Sequence, residues 1–236
     1  MLVAAFDSTA VTASAAVADI DENGEVRTYA LFTVKNRLTH SETLLPMFVQ
    51  ALKTFGADVS DIGLYAVSAG PGSFTGVRIG VATVKGLATP YGTPCAGVSA
   101  PEAIAANIKN GTVCALMDAR RGQFYTALFK DGERLTPDSA LSAEEIYASL
   151  PEGERITLCG DGAGLFKSLY PGDARLVPAP AASMDQNALS VAVCGWQIYK
   201  NGGAVDAAGL KPVYLRVPQA ERERLERENN DKGETK

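Results

Sequence analysis

Ile62 to Ser68 form a short apolar run, and Gly70-Pro71-Gly72-Ser73-Phe74-Thr75-Gly76-Val77-Arg78-Ile79-Gly80 follows, after which apolar residues recur at helical spacing to about Ala88. The order strand, glycine turn, helix predicts an α/β unit. Such a turn presents free amides at a helix N-terminus, which suits an anion, yet the spacing fits neither standard phosphate loop. GxGxxG would need glycine at Thr75, and the Walker pattern would need GK[ST] where Thr75-Gly76-Val77 stands. Gly72, Gly76 and Gly80 fall instead on one helix face, so the expectation is a flat surface that another backbone can approach closely, an argument transferred as sterics from small-residue helix contacts. Ser73 is expected to cap the helix.

On the N-terminal side, Leu2 to Phe6 and Thr12 to Ile20 are apolar runs separated by Asp7-Ser8-Thr9, and Asp21-Glu22-Asn23-Gly24 turns the chain into Glu25 to Val34. Three antiparallel strands are expected. Leu44, Leu45, Phe48, Val49, Leu52 and Phe55 then recur at helical spacing, with Thr39 and Glu42 at the offset of a capping box, Pro46 inside, and Gly56 as a stop. Pro90 to Pro101, with three prolines, is expected to be a crossover between two lobes.

The plan then repeats. Val113 to Met117 is apolar, Asp118-Ala119-Arg120-Arg121-Gly122 interrupts it, Gln123 to Lys130 resumes, and Asp131-Gly132 supplies a hairpin turn. Ile156 to Cys159 leads into Gly160-Asp161-Gly162-Ala163-Gly164 and a helix near Leu165, as Ile62 to Ser68 leads into the first glycine turn. Ser183 and Gln186 have the capping-box offset ahead of a helix through Leu189, Val193, Trp196 and Tyr199, closed by Gly202-Gly203. Pro212 to Arg216 is a last short segment. The expected division is residues 1–100 as an N-terminal lobe, 101–217 as a C-terminal lobe, and 218–236 as a charged tail that is frayed or disordered.

The chain has 236 residues, 46% hydrophobic and 21% charged, which supplies enough apolar area for a large core. Its net charge of -5 excludes unaided condensation onto a phosphate backbone, and no segment is a basic arm. Any nucleic-acid role is therefore expected to be indirect. One histidine, His40, excludes zinc and iron sites that need two imidazoles. Cys95, Cys114, Cys159 and Cys194 have no disulfide-framework spacing and fit a reducing cytosol. No window reaches 18 apolar residues and the N-terminus carries no basic leader pattern, so a cytoplasmic protein away from membranes is expected.

Asp7 at a strand end beside Ser8 and Thr9 could coordinate a magnesium nucleotide, or it could make an Asx or ST turn. Asp118 occupies the matching place in the second half, although Ala119-Arg120 stands where a phosphate turn wants glycine. Ser73 and His40 could form a nucleophile and base, but no GxSxG elbow occurs and no acid partner can be assigned. The Ser41 to Phe55 stripe is wide enough to face more than one neighbour. Beside the glycine face it could form a two-helix apolar surface for a partner.

The run Gly70 to Gly80, with Asp7-Ser8-Thr9, His40-Ser41-Glu42, Leu44-Leu45-Pro46, Asp118-Ala119-Arg120-Arg121-Gly122, Gly160-Asp161-Gly162 and Tyr214-Leu215-Arg216, resembles the TsaB (YeaZ) family over nearly residues 1–217. The resemblance implies a duplicated actin-like and Hsp70-like (ASKHA) α/β fold in two lobes, with mixed sheets flanked by helices. It also implies a noncatalytic subunit in the synthesis of N6-threonylcarbamoyladenosine at position 37 of tRNAs reading codons that begin with A. The implied partners are the catalytic transferase TsaD and the ATPase TsaE, with a homodimer when the chain is alone. On that reading Leu44, Leu45, Phe48, Leu52, Phe74, Gly76, Val77 and Gly80 meet the partner, while Asp7, Asp118, Gly160 and Gly162 mark a vestigial nucleotide cleft. No metal is implied, and no cofactor is bound by this chain alone, with ATP or ADP a candidate for the heteromeric interface. The rival expectation from another class is an ATP-dependent small-molecule kinase of the same fold, holding Mg-ATP with Asp7 and Asp118.

Overall fold

The computed structural model describes residues 1–36 and 39–216. The expected 218–236 tail lies outside the described residues. The first sheet has the order β3-β2-β1-β4-β5, formed by β1 (Leu2–Asp7), β2 (Thr12–Ile20), β3 (Val26–Lys35), β4 (Ile62–Gly70) and β5 (Cys95–Ser99). β1, β2 and β3 are antiparallel, and β1, β4 and β5 run parallel. The central strands are continuously apolar because helices cover both faces, as parallel sheets require. Along β1 the alternation is plain: Ala4 and Phe6 face one core, Val3 and Ala5 the other.

Two helices cover the first face. α1 (His40–Phe55) and α2 (Phe74–Ala88) send Leu44, Phe48, Leu52, Val77, Val81 and Val84 into the core with Phe6 and Tyr65. Phe6 and Phe48 have ring centroids 5.1 Å apart. Gly56 ends α1 in the left-handed conformation, as expected, but the capping box does not form: Glu42 N donates to the Thr39 carbonyl, and the Thr39 side chain takes no cap hydrogen bond. The Pro90 to Pro101 stretch is more than a crossover. Its middle is β5, and α3 (Ala100–Ala105) begins at Pro101's own turn, because Cys95, Ala96 and Val98 can be buried by pairing with β4.

The second sheet has the order β11-β10-β6-β7-β8, with β9 also pairing β7. Its strands are β6 (Thr112–Arg120), β7 (Gln123–Lys130), β8 (Glu133–Arg134), β9 (Ser139–Ser142), β10 (Ile156–Cys159) and β11 (Leu176–Pro178). β6 and β7 are antiparallel while β10 and β11 run parallel to β6, so the connectivity of the first sheet is repeated. α4 (Ala143–Ser149) and α5 (Ala163–Leu169) pack on one face, and α3 packs on the other.

Past the short α6 (Ala181–Met184), α7 (Ala188–Lys200) starts four residues later than the Ser183 to Gln186 pattern predicts. Asn187 Oδ1 accepts from Leu189 N at 2.8 Å, and Ser14 Oγ on β2 accepts from Ala188 N at 3.0 Å, so a sheet residue completes the cap. α7 covers the second face of the first sheet, where Val191, Ala192 and Trp196 meet Val3, Ala5 and Leu64. Gly195 permits this approach, since a Cβ there would lie 2.4 Å from that of Ala66. Residues 188–213 return to the first lobe, through α7, the Cys95 and Val205 bridge, and Val213 N donating to the Ala69 carbonyl at 2.7 Å. No helix among the described residues is long and apolar enough to cross a membrane.

Candidate functional site

The strand ends of the two sheets face each other across a cleft of about 450 Å³. From the first lobe it is lined by Thr9, Gly72, Ser73 and Phe74, and from the second by Met117, Asp118, Arg120 and Asp161, with Tyr214 to Arg216 along its mouth. Asp7 does not line it. That carboxyl is fully buried: Oδ1 accepts from Thr9 N at 2.9 Å and Thr9 Oγ1 at 2.7 Å, and Oδ2 accepts from Ser68 Oγ at 2.5 Å. Burial pushes its pKa up, against the hydrogen bonds that pull it down. This is the turn-forming role of a strand-end Asp, its two oxygens taken by three donors of its own chain.

The glycine turn packs the same way. A Cβ at Gly76 would lie 1.9 Å from the Ser8 carbonyl oxygen, and one at Gly72 would lie 2.5 Å from that of Thr9. The free edge of the β1–β2 turn is thus pressed against the start of α2. Ser8 Oγ donates to the Gly76 carbonyl at 2.8 Å and Ser73 N to the Thr9 carbonyl at 2.7 Å. Ser73 Oγ accepts from Gly76 N, which is the expected cap, and the His40 ring is held by its Nε2 at the Ala10 carbonyl. Each side chain is thus engaged with backbone, and no hydrogen bond between the two is found among the described residues.

In the second lobe, Gly160 and Gly162 let their turn lie against β6: a Cβ at Gly160 would be 2.2 Å from the Leu116 carbonyl oxygen, and one at Gly162 would be 2.8 Å from the Phe124 ring. Asp118 is exposed, its Oδ1 taking Arg120 N at 2.7 Å. Asp161 Oδ1 accepts from Asp118 N at 3.2 Å. Burial, with Asp118 and Asp185 nearby, pushes the Asp161 carboxyl up to about 6. Among the described residues no group of three His, Cys, Asp or Glu side chains is placed to hold a metal ion.

The other candidate surface is the α1–α2 pair, and here the structure redistributes the expected residues. Leu44, Phe48, Leu52 and Val77 are sealed in the core of their own lobe, Leu44 at 1% and Phe48 at 0% exposure. Gly76 and Gly80 face inward, the latter against Ser8 Oγ and Val67. The sequence places these residues on one stripe but cannot tell which neighbour the stripe faces, and the sheet claims it first. Phe74 is half-buried under Tyr214, with centroids 4.7 Å apart. Leu45 alone of the expected aliphatic residues stands out, at 45% exposure, beside Val49 at 56%. On α2 the outward face carries Ala82 and Gly86, and a Cβ at Gly86 would meet nothing within 4 Å. The absence of polar character at 45, 49, 82 and 86 was the available signal.

Residues 35–174 match the family model described as TsaD, tRNA N6-adenosine threonylcarbamoyltransferase. The chain is 31% identical over 236 residues to the tRNA threonylcarbamoyladenosine biosynthesis protein TsaB of Bacillus subtilis, covering 96% of this chain and 99% of that one. It is 33% identical over 197 residues to the protein of the same name from Escherichia coli, covering 75% and 80% respectively. Among solved structures, YeaZ from Pseudomonas aeruginosa superposes with a TM-score of 0.76 at 25% identity over 91% of this chain and 99% of that chain.

Proposed function

The chain belongs to the TsaB family of tRNA threonylcarbamoyladenosine biosynthesis proteins, within the wider family that the transferase model covers, and from that premise we propose that it serves this tRNA modification as a noncatalytic partner subunit. The carrying observation is the outer face of α1 and α2. Leu45 and Val49 stand in solvent beside a helix whose outward positions 82 and 86 are small. Gly86 lies inside a helix, where glycine costs about 1 kcal/mol relative to alanine, and nothing among the described residues requires it. A second helix approaching closely would. The partner whose fold resembles this chain is the catalytic transferase of the same pathway, TsaD, with the ATPase TsaE joining the pair. In the absence of TsaD a second copy of this chain would occupy the same face.

The noncatalytic reading is supported by the sealing of Asp7 and by the turn packed against Gly72 and Gly76, which together take the places that a phosphate and its metal would need. The test is co-purification with TsaD on a sizing column. Leu45→Glu with Val49→Glu should abolish the heterodimer and leave the monomer folded, because both side chains are exposed; assembly at wild-type level would refute the placement. A bulky residue at Gly80 would not test this face, since its Cβ would lie 2.8 Å from Ser8 Oγ and 3.1 Å from Val67 in the monomer's own core.

A further inference from the structure

Arginines in this acidic chain are sorted by place. Among the described residues Arg27, Arg134 and Arg175 have a carboxylate within 4 Å, whereas Arg78, Arg120, Arg121, Arg155 and Arg216 form no ion pair. Of those five, Arg120 and Arg216 line the cleft, while Arg78 is held by the lining residues Phe74 and Tyr214 and Arg121 follows Arg120 in the chain. Arg78 lies with its guanidinium 3.8 Å from the Phe74 ring centroid and donates from Nε to Tyr214 Oη at 3.0 Å. Two residues on from Tyr214, Arg216 crosses to the second lobe and donates to the Ala119 carbonyl at 2.6 Å. Arg120 lines the cleft there, and Arg121 stands beside it at the tip of the β6–β7 hairpin.

That tip is strained. Arg120 has φ 63° and Arg121 φ 57°, followed by Gly122 at φ 73°. Left-handed backbone at two successive long side chains is unfavourable, and hairpin turns of this shape favour Asn and Gly. Such outliers cluster at functional sites. Both side chains are exposed, so packing does not account for them.

We propose that the mouth of the cleft is a docking track for the phosphodiester backbone of an unpaired RNA strand, gripped by Arg78, Arg120, Arg121 and Arg216, with the exposed ring of Tyr214 for a base to stack on. The proposal takes the identity of the polyanion from the tRNA-linked reading above and adds a direct contact to it. Arginines interleaved with aromatic rings are the means by which proteins hold single strands. The carboxylates of Asp118 and Asp161 line the same cleft and repel a phosphate that would enter it. An anion therefore lies across the mouth, where a strand fits, and a nucleotide's phosphates are kept from entering. The net charge of -5 opposes binding elsewhere on the surface, so the gathering of four arginines that pair with no carboxylate, two of them already steadied by Tyr214 and by the Ala119 carbonyl, makes the site.

The test is fluorescence anisotropy of the full chain with a labelled unmodified tRNA transcript over a salt series. At roughly −0.7 per neutralised phosphate, four contacts give a slope of log K on log salt of about −3. Arg120→Ala with Arg121→Ala should make the slope shallower by about 1.4 and weaken binding about tenfold at low salt, whereas Arg155→Ala should change neither. Arg120→Gly with Arg121→Gly fits the backbone and should behave like the alanine pair, with Tm within about 2 °C of the parent, which shows that the fold is intact. No binding by the parent chain, a double variant with unchanged slope, or displacement of the transcript by ATP at equal phosphate concentration would overturn the proposal, the last by showing a nucleotide to be the ligand. Heterodimer formation on the sizing column is independent of all three outcomes, so failure of the RNA contact and failure of the partner reading are told apart.

Discussion

Gly76→Ala should cripple this protein although the residue is helical and alanine is the better helix former. The added Cβ would sit 1.9 Å from the Ser8 carbonyl oxygen, so the β1–β2 turn must retreat about 1.5 Å to reach the 3.4 Å at which contacts become ordinary. Two hydrogen bonds span that gap, from Ser8 Oγ to the Gly76 carbonyl and from Ser73 N to the Thr9 carbonyl, and Ser8 and Thr9 are both buried. Leaving buried polar groups unpaired costs about 1–3 kcal/mol each, offset by about 1 kcal/mol of helix propensity, for a net loss of about 3 kcal/mol. In a chain of this size that is a fall in Tm of about 6–12 °C. Gly86→Ala on the same helix is the internal control: its Cβ meets nothing, so the monomer should gain up to about 1 kcal/mol. The assay is urea unfolding of each variant followed by circular dichroism. A Gly76→Ala chain as stable as the parent would refute the claim that the first glycine turn is a packing device.

Asp161 has a folded pKa of about 6, above the ordinary 3.8, so the folded state binds its proton the more readily; this stabilisation is present below about pH 4 and is lost as pH rises through 6. Asp161→Asn should therefore gain about 2 kcal/mol at pH 7.5 relative to the parent and nothing at pH 4, read by urea midpoints at the two pH values. Asp7→Ala strands the Thr9 and Ser68 donors and should cost about 2–4 kcal/mol of stability, whereas calorimetry of the parent chain with Mg-ATP should show no binding heat; a strong ATP signal lost on this substitution would favour the kinase. Asn187→Ala removes the side-chain cap of α7 and should lower stability by about 1 kcal/mol, measured by thermal unfolding.

How much was legible in the sequence differs from element to element. The strands at 2–7, 12–20 and 62–70 and the helices ending at Gly56 and Ala88 follow from runs and stops that act within a few residues. β5 was hidden because Cys95 to Ser99 has no periodicity of its own and becomes a strand by pairing with β4. The start of α7 was misplaced for a similar reason, since half of its cap comes from Ser14, 174 residues away. The doubling of the plan was visible as a repeated order of strand, glycine turn and helix, and the two sheets share it.

Amino-acid order alone determined the fold class, the duplication and the residues that must be apolar, because periodicity and turn chemistry are local. Only the folded chain decided which way the apolar and glycine stripes face. Gly76 and Gly80 turned out to admit the chain's own Ser8, leaving Leu45, Val49 and Gly86 outside, because a helix of given periodicity has one face the sheet must bury and the sheet's position is set by contacts distant in sequence. The gathering of Arg78, Arg120, Arg121 and Arg216 is likewise tertiary: each is unremarkable in its own segment, and a strap from residues 213–216 draws them together across two lobes.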